Sequence, residues 1–233
     1  MSANKHAAIM RLSSAIEAAA AYAATLAPVN SSPVKSAREY KSIRAEYRQA
    51  VEDALFDYFT SDGAVTSYRN AMQRAMSDAF LSAYELAYTD GGGELPVESD
   101  AMDWLAARQD TEFGYIKELF VTLKDMRAQY RAKEITTADV KAEIERRRDG
   151  YSATLDSIYV TGKMFAQQNK MVTWRYGETE HCDTCASLNG KRHKAKWFIS
   201  RDYIPRKPGA NLDCGGYRCQ CSLIDDKGKE ITL

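Results

Sequence analysis

A mainly α-helical protein, with an elongated helical body and a small α+β module at its C-terminus, is what this sequence predicts. Three observations carry the prediction. Apolar residues recur at three- and four-residue steps through most of the chain, the spacing of one helix face. That periodicity stops near Met171, where Gly, Pro, Trp and Cys become frequent. All five cysteines then fall between Cys182 and Cys221. The division that follows is a helical body over residues 1–170 and a cysteine-bearing module over residues 171–233.

The elements can be justified in order. Ile9, Leu12 and Ile16 mark one face of an Ala-rich first helix that ends before Pro28. Its stretch from Ala18 to Ala24 offers little bulk, so it is expected to dock on a partner or a neighbouring subunit. Tyr40, Ile43, Tyr47, Val51, Leu55 and Tyr58 define a second helix, closed by Ser61-Asp62-Gly63. Val65, Tyr68, Met72, Met76, Phe80 and Tyr84 define a third, which Gly91, Gly92 and Gly93 stop. Met102 and Leu105 open a further stretch that runs to Tyr130, with a break expected near Gly114. Thr136 followed by Asp139 reads as an N-cap with an acidic first turn. That helix carries Val140 and Ile144 and is expected to end at Asp149-Gly150. Leu155, Ile158 and Phe165 form the last helical face. Met171 to Tyr176 alternates like a short strand, and Asn189-Gly190 reads as a tight turn between two strands. The tyrosine-rich stripes are read as helix-packing residues, with an oligomer interface as the alternative.

Composition bounds the function. Hydrophobic residues make up 45% of the 233, enough for a sizeable core. Lys plus Arg and Asp plus Glu both number 32, which argues against a polycation that coats nucleic acid. From residue 171 onward the basic excess is concentrated in Lys191, Arg192, Lys194 and Lys196. It is read first as a solvated turn, with contact to DNA or to an acidic capsid surface as the alternative. No apolar run is long enough to span a bilayer, and the N-terminus lacks the features of a secretory signal. A soluble protein made in a reducing cytoplasm is therefore expected.

The cysteines carry the chemistry. Cys182 and Cys185 form a C-x-x-C loop that can present two thiolates to one metal ion, and Cys214 and Cys219 can close a tetrahedral Zn2+ site. Buried core cysteines would be scattered, whereas these lie within forty residues of one another. An odd number leaves one thiol over in any disulfide scheme, and a reducing compartment disfavours disulfides. Cys182, Cys185, Cys214 and Cys219 are the preferred ligands. If the last stretch is extended, Cys219 and Cys221 point to opposite faces, so one site should not use both. Cys221 remains the rival of Cys214 or Cys219. His181 and His193 are alternative ligands, read in preference as residues beside the site or at the surface. Four thiolates leave no open coordination position, so the zinc is structural and stabilises a module whose apolar residues, Leu188, Trp197, Phe198, Ile199 and Leu212, are few.

Trp174, the C-x-x-C-x-x-L-x-G run from Cys182 to Gly190, the proline-bearing loop from Pro205, and Cys214 followed by Cys219-Gln220-Cys221 together resemble the phage Mu F-like head morphogenesis proteins. These are the minor head proteins of tailed phages. In that family the last element usually reads His-Pro-Asn-Cys-Arg-Cys. Here Cys214 stands in the place of the histidine, with two more residues before Cys219. The resemblance covers about residues 150–225, through motifs of structural-zinc type. Many members also carry Arg-Thr-Glu in the helix before the tryptophan, where this chain has Tyr151 to Asp156.

What the resemblance implies is a virion assembly component without enzymatic activity, made in the host cytoplasm. It would associate with the portal and inner capsid, as a homo-oligomer or as part of a larger assembly, with a link to DNA packaging or ejection. A zinc-containing nucleic-acid-binding protein and a neck, tail or connector subunit are the alternatives. Three enzyme classes are disfavoured. Zinc deaminases need H-x-E before P-C-x-x-C, which Glu180-His181-Cys182 does not supply. A thioredoxin-like C-x-x-C belongs in a βαβ unit, and helix precedes this one. A zinc-supported nuclease needs more histidines than His6, His181 and His193 provide.

Overall fold

The computed structural model describes residues 33–231, apart from 179, 208, 217 and 218. The helix expected around Ile9, Leu12 and Ile16 lies outside the described residues. Four long helices come first: α1 (Pro33–Thr60), α2 (Val65–Asp90), α3 (Ser99–Arg131) and α4 (Thr137–Ala166). Short elements follow: β1 (Met171–Arg175), α5 (Asp183–Leu188), β2 (Arg192–Lys194), α6 (Ala195–Ile199) and β3 (Ser222–Asp225). The chain is mainly helical with one small sheet, as the periodicity predicts. Among the described residues no helix is long and apolar enough to cross a membrane.

The long helices pack through the stripes that define them. α2 touches the other three, and α1 also packs along α4. Tyr47, Val51, Leu55 and Tyr58 of α1 meet Met72, Met76, Phe80 and Tyr84 of α2, Ile116, Phe120 and Leu123 of α3, and Ile144, Leu155 and Ile158 of α4. Burying each of these large side chains contributes about 1.5–3 kcal/mol before conformational entropy is charged against it. Tyrosine serves here as core. Tyr58 sits edge-on to Phe120 with centroids 4.9 Å apart, and Arg127 lies 4.5 Å above its ring. Arg127 and Arg131 also donate to the Ser61 carbonyl, at 2.7 and 2.8 Å, which pins the α1–α2 corner to α3. Where α4 crosses α2 at Gly162, an added Cβ would come within 2.9 Å of the Tyr84 carbonyl and 3.0 Å of Ala87. Glycine there is what lets the two backbones approach.

Two expected interruptions do not occur. α3 runs unbroken through Gly114, and α4 runs unbroken through Asp149-Gly150. Glycine costs a helix interior only about 1 kcal/mol relative to alanine, and tertiary packing outweighs that. In α4 the buried stripe stays in phase across the glycine. Ile144, Arg148, Ser152, Leu155 and Ile158 follow at steps of four and three, with Arg148 paired to Glu52 of α1 at 2.8 Å. The N-terminus of α4 is as expected: Thr136 and Asp139 form a reciprocal capping box.

The three strands form an antiparallel sheet in the order β2-β1-β3. Val172 pairs with His193, and Trp174 pairs with Leu223. β1 alternates as predicted, with Val172 and Trp174 inward. A second core forms beneath the sheet from Val172, Trp174, Leu188, Phe198, Ile204, Leu212 and Leu223. It also takes in Val160 and Met164 of α4, so the last long helix serves both cores. Asn189-Gly190 is a turn, but it leads out of a helix, not out of a strand. α5 ends at Leu188, and Gly190, with φ of +77°, donates to the Trp174 carbonyl at 3.0 Å.

Candidate metal centre

The cysteines are positioned by elements too short to hold themselves. Cys182 is the N-cap of α5, and its Sγ accepts from the backbone N–H of Cys185 at 3.4 Å. The six residues of α5 place Cys185 one turn on, buried at 1% exposure. Asp213 then fastens this loop to the next cysteine. Its Oδ2 accepts from both the backbone N–H and the hydroxyl of Thr184, at 2.8 and 2.7 Å, and its own N–H donates back to Thr184 Oγ1 at 3.4 Å. These hydrogen bonds hold the Asp213 carboxyl below the usual range. Cys214, the next residue, is thereby set beside Cys182 and Cys185.

The last two cysteines arrive on the segment leading into β3. Arg206 steadies that segment, donating to the Gln220 carbonyl at 3.2 Å while pairing with Glu230 at 3.0 Å. On the other side Gly177 lies against the Gln220 backbone so closely that no Cβ would fit. Cys219 Sγ comes to 3.9 Å from Cys185 Sγ. A zinc–sulfur bond of about 2.3 Å in tetrahedral geometry implies sulfurs about 3.8 Å apart, so this spacing suits a shared ion.

Two sets of sulfurs lie mutually within 4.8 Å: Cys182, Cys185 and Cys214, and Cys185, Cys219 and Cys221. All five cysteines thus converge, with Cys185 common to both sets, and the cluster can hold a metal ion. The opposed faces expected for Cys219 and Cys221 are not found. Strand β3 begins only at Ser222, so the alternation of a regular strand does not govern residues 219–221.

Burial, and then the neighbouring thiols, push Cys185 strongly toward its neutral form. Burial likewise raises Cys214 and Cys219. At Cys182 burial acts in the same direction, but hydrogen bonds from the backbone N–H and thiol groups of Cys185 and Cys214 outweigh it and depress the thiol. A divalent cation at the centre would reverse the balance for all of them, because it supplies the charge that the thiolates lack. The donors are soft sulfurs, which suit a thiophilic metal ion; of the four predicted ligands, Cys182, Cys185 and Cys214 form one mutual set, and Cys219 belongs to the other.

The remaining predicted residues separate. His193 stacks on Trp197 at 4.0 Å, in register with Val172 on the sheet. His181 lies beside the cluster, its Nδ1 3.6 Å from Cys221 Sγ and its ring stacked on Tyr176 at 3.8 Å. Lys191, Arg192, Lys194 and Lys196 are exposed, and Arg192 is bound to Asp226 at 2.8 Å. Sequence reasoning missed the Thr184–Asp213 clasp and the convergence of Cys221. A threonine inside C-x-x-C and an aspartate directly before Cys214 were the available signal for the first. For the second, the sequence marked Cys221 only as a rival to Cys214 or Cys219, not as a fifth member of the cluster.

The chain matches no protein-family model, no curated protein and no solved structure.

Proposed function

We propose that this protein is a structural, non-catalytic component of a phage virion, acting in head morphogenesis, with a structural zinc ion closing its C-terminal module. The observation that supports the metal reading is the convergence of the cysteines from three separate segments onto one cluster. Cys182, Cys185, Cys214 and Cys219 would supply four thiolates, leaving no position for substrate or water, which is the arrangement of a structural site. The zinc would hold the loops in place, while the chain's own hydrogen bonds orient the sulfurs. The Thr184–Asp213 clasp sets Cys214, and Arg206 sets the approach of Cys219. The virion role rests on the sequence motifs around Trp174, Cys182 to Gly190 and Cys214 to Cys221. In that role the long helices meet portal and capsid proteins, and the module forms a rigid end.

Cryo-electron microscopy of the assembled particles tests the virion role. Density for the helical bundle at the portal or inner capsid supports it, and absence from particles at every stage of assembly overturns it. Density at the neck, tail or connector would keep the structural role and move its position. Elemental analysis of protein purified without chelator tests the metal, and zinc, not iron, is expected. A filter or gel assay tests DNA contact through Lys191, Lys194 and Lys196, with any binding expected to weaken steeply as salt rises.

A further inference from the structure

We propose that the cysteine cluster holds two zinc ions and that the second is bound by Cys185, Cys219, Cys221 and His181. The proposal rests on the reading of the cluster as a thiolate metal centre. It begins from a count of donors: a tetrahedral ion takes four ligands, and the cluster brings together five sulfurs. They close into two triads that share Cys185, one reaching toward Cys182 and Cys214, the other toward Cys219 and Cys221. That is the arrangement of two adjoining tetrahedra, not of one tetrahedron with a spare thiol at random.

One edge of the second triad has the right length. Cys185 and Cys219 lie 3.9 Å apart, against about 3.8 Å for one edge of a zinc–thiolate tetrahedron. Cys185 lies within reach of both ions, and a turn of the neighbouring Cys219 side chain toward Cys182 and Cys214 makes it the second bridge, with Cys182 and Cys214 completing one ion and Cys221 contributing to the other. Cys221 is 1% exposed, so a thiol left outside a single centre would be sealed against it. A fourth donor stands next to one member of that triad, Cys221. His181 Nδ1 is 3.6 Å from Cys221 Sγ, and the near-parallel stack on Tyr176, 8° between planes, holds the ring in that place. Imidazole nitrogen is an ordinary zinc ligand alongside thiolates.

Charge points the same way. One zinc with four thiolates is a dianion in a partly buried setting with a further thiol against it. Two zincs with five thiolates and a neutral imidazole form a monoanion. Burying the smaller net charge costs less.

The test is a metal count on the full chain, reduced and saturated with zinc, by native mass spectrometry and elemental analysis. Two equivalents are expected in the wild type, with loss of one equivalent in Cys221→Ser and in His181→Asn. Substitution with cadmium-113 gives a second readout that needs no variant: two cadmium resonances of different donor sets, coupled through the bridging sulfurs. One equivalent, or one resonance, in the wild type overturns the second site and leaves the single structural zinc standing. No bound zinc overturns both. Two equivalents that persist in both variants place the second ion elsewhere, and the proposal fails.

Discussion

From α1 to α4 every helix runs 26 to 33 residues and buries a continuous stripe against its neighbours. From β1 to β3 no element exceeds six residues. The bundle is held by many apolar contacts of modest individual size, spread over the whole length of the helices. The module has a core around Trp174 and Phe198, but its loops are tied by a few directed contacts: the Thr184–Asp213 clasp, Arg206 on Gln220, and the cysteines. A short helix or strand does not stabilise itself, because its nucleation cost is spread over too few hydrogen bonds. The difference teaches where each region is vulnerable. A long stripe tolerates the loss of one contact, whereas a set of converging ligands fails together.

The largest expected effect separates the two regions. On the proposed zinc reading, a chelator under reducing conditions withdraws about 10–16 kcal/mol of apparent binding free energy from the module. Trp174 fluorescence should shift to that of an exposed indole and proteases should cut between residues 176 and 221, while most of the far-ultraviolet helix signal remains. A metal-free protein with an intact, protease-resistant C-terminus would break the comparison. In the other direction, Phe80→Ala removes a fully buried ring from the centre of the bundle. It should lower stability by about 3–5 kcal/mol in denaturant titration, with the metal content of the module unchanged at low denaturant.

Alkaline pH probes the bundle by a third route. Burial raises the pKa of the Tyr47 and Tyr84 hydroxyls above the ordinary 10.0, with neighbouring tyrosines adding to the shift. The folded chain then keeps these protons where the unfolded chain releases them. Their contribution is present in full below pH 10 and is lost as pH rises through the window between the unfolded and folded values. From pH 10 to 11 each costs up to about 1.4 kcal/mol. Urea midpoints should fall across that interval, with tyrosinate absorbance at 295 nm appearing together with unfolding. Tyrosinate that forms ahead of unfolding would show the rings to be accessible. The smallest effect has the opposite sign. Gly150 lies inside α4 with open space where a Cβ would sit, so Gly150→Ala should raise stability by about 0.5–1 kcal/mol.

The helices were legible because their signal is repeated. Tyr40 to Tyr58 and Val65 to Tyr84 each give several turns of evidence for one face, and both were found within a few residues of α1 and α2. Thr136 with Asp139 announced the start of α4 for a local reason, since both partners of the capping box lie within four residues. Gly114 and Gly150 misled because a glycine is a local signal, and the packing that overrides it comes from other helices. The candidate site was legible as composition: clustered cysteines with ligand-like spacing. Its geometry was not. Whether Cys221 turns toward Cys219 depends on the path of residues 219–221, and that path is set by Gly177 and Arg206, which lie far away along the chain.

The sequence by itself determined that long amphipathic helices occupy most of the chain, that a short strand follows Met171, and that the chemistry lies among the cysteines. Each of these depends on neighbours within a few turns or on residue type alone. Only the tertiary structure decided that α4 continues through Gly150, that its end serves two cores, and that five sulfurs converge where four were expected. Those outcomes come from contacts between residues tens of positions apart, as Thr184 meets Asp213 and Cys185 meets Cys219. Such contacts form only after the elements have packed, so no local pattern carries them.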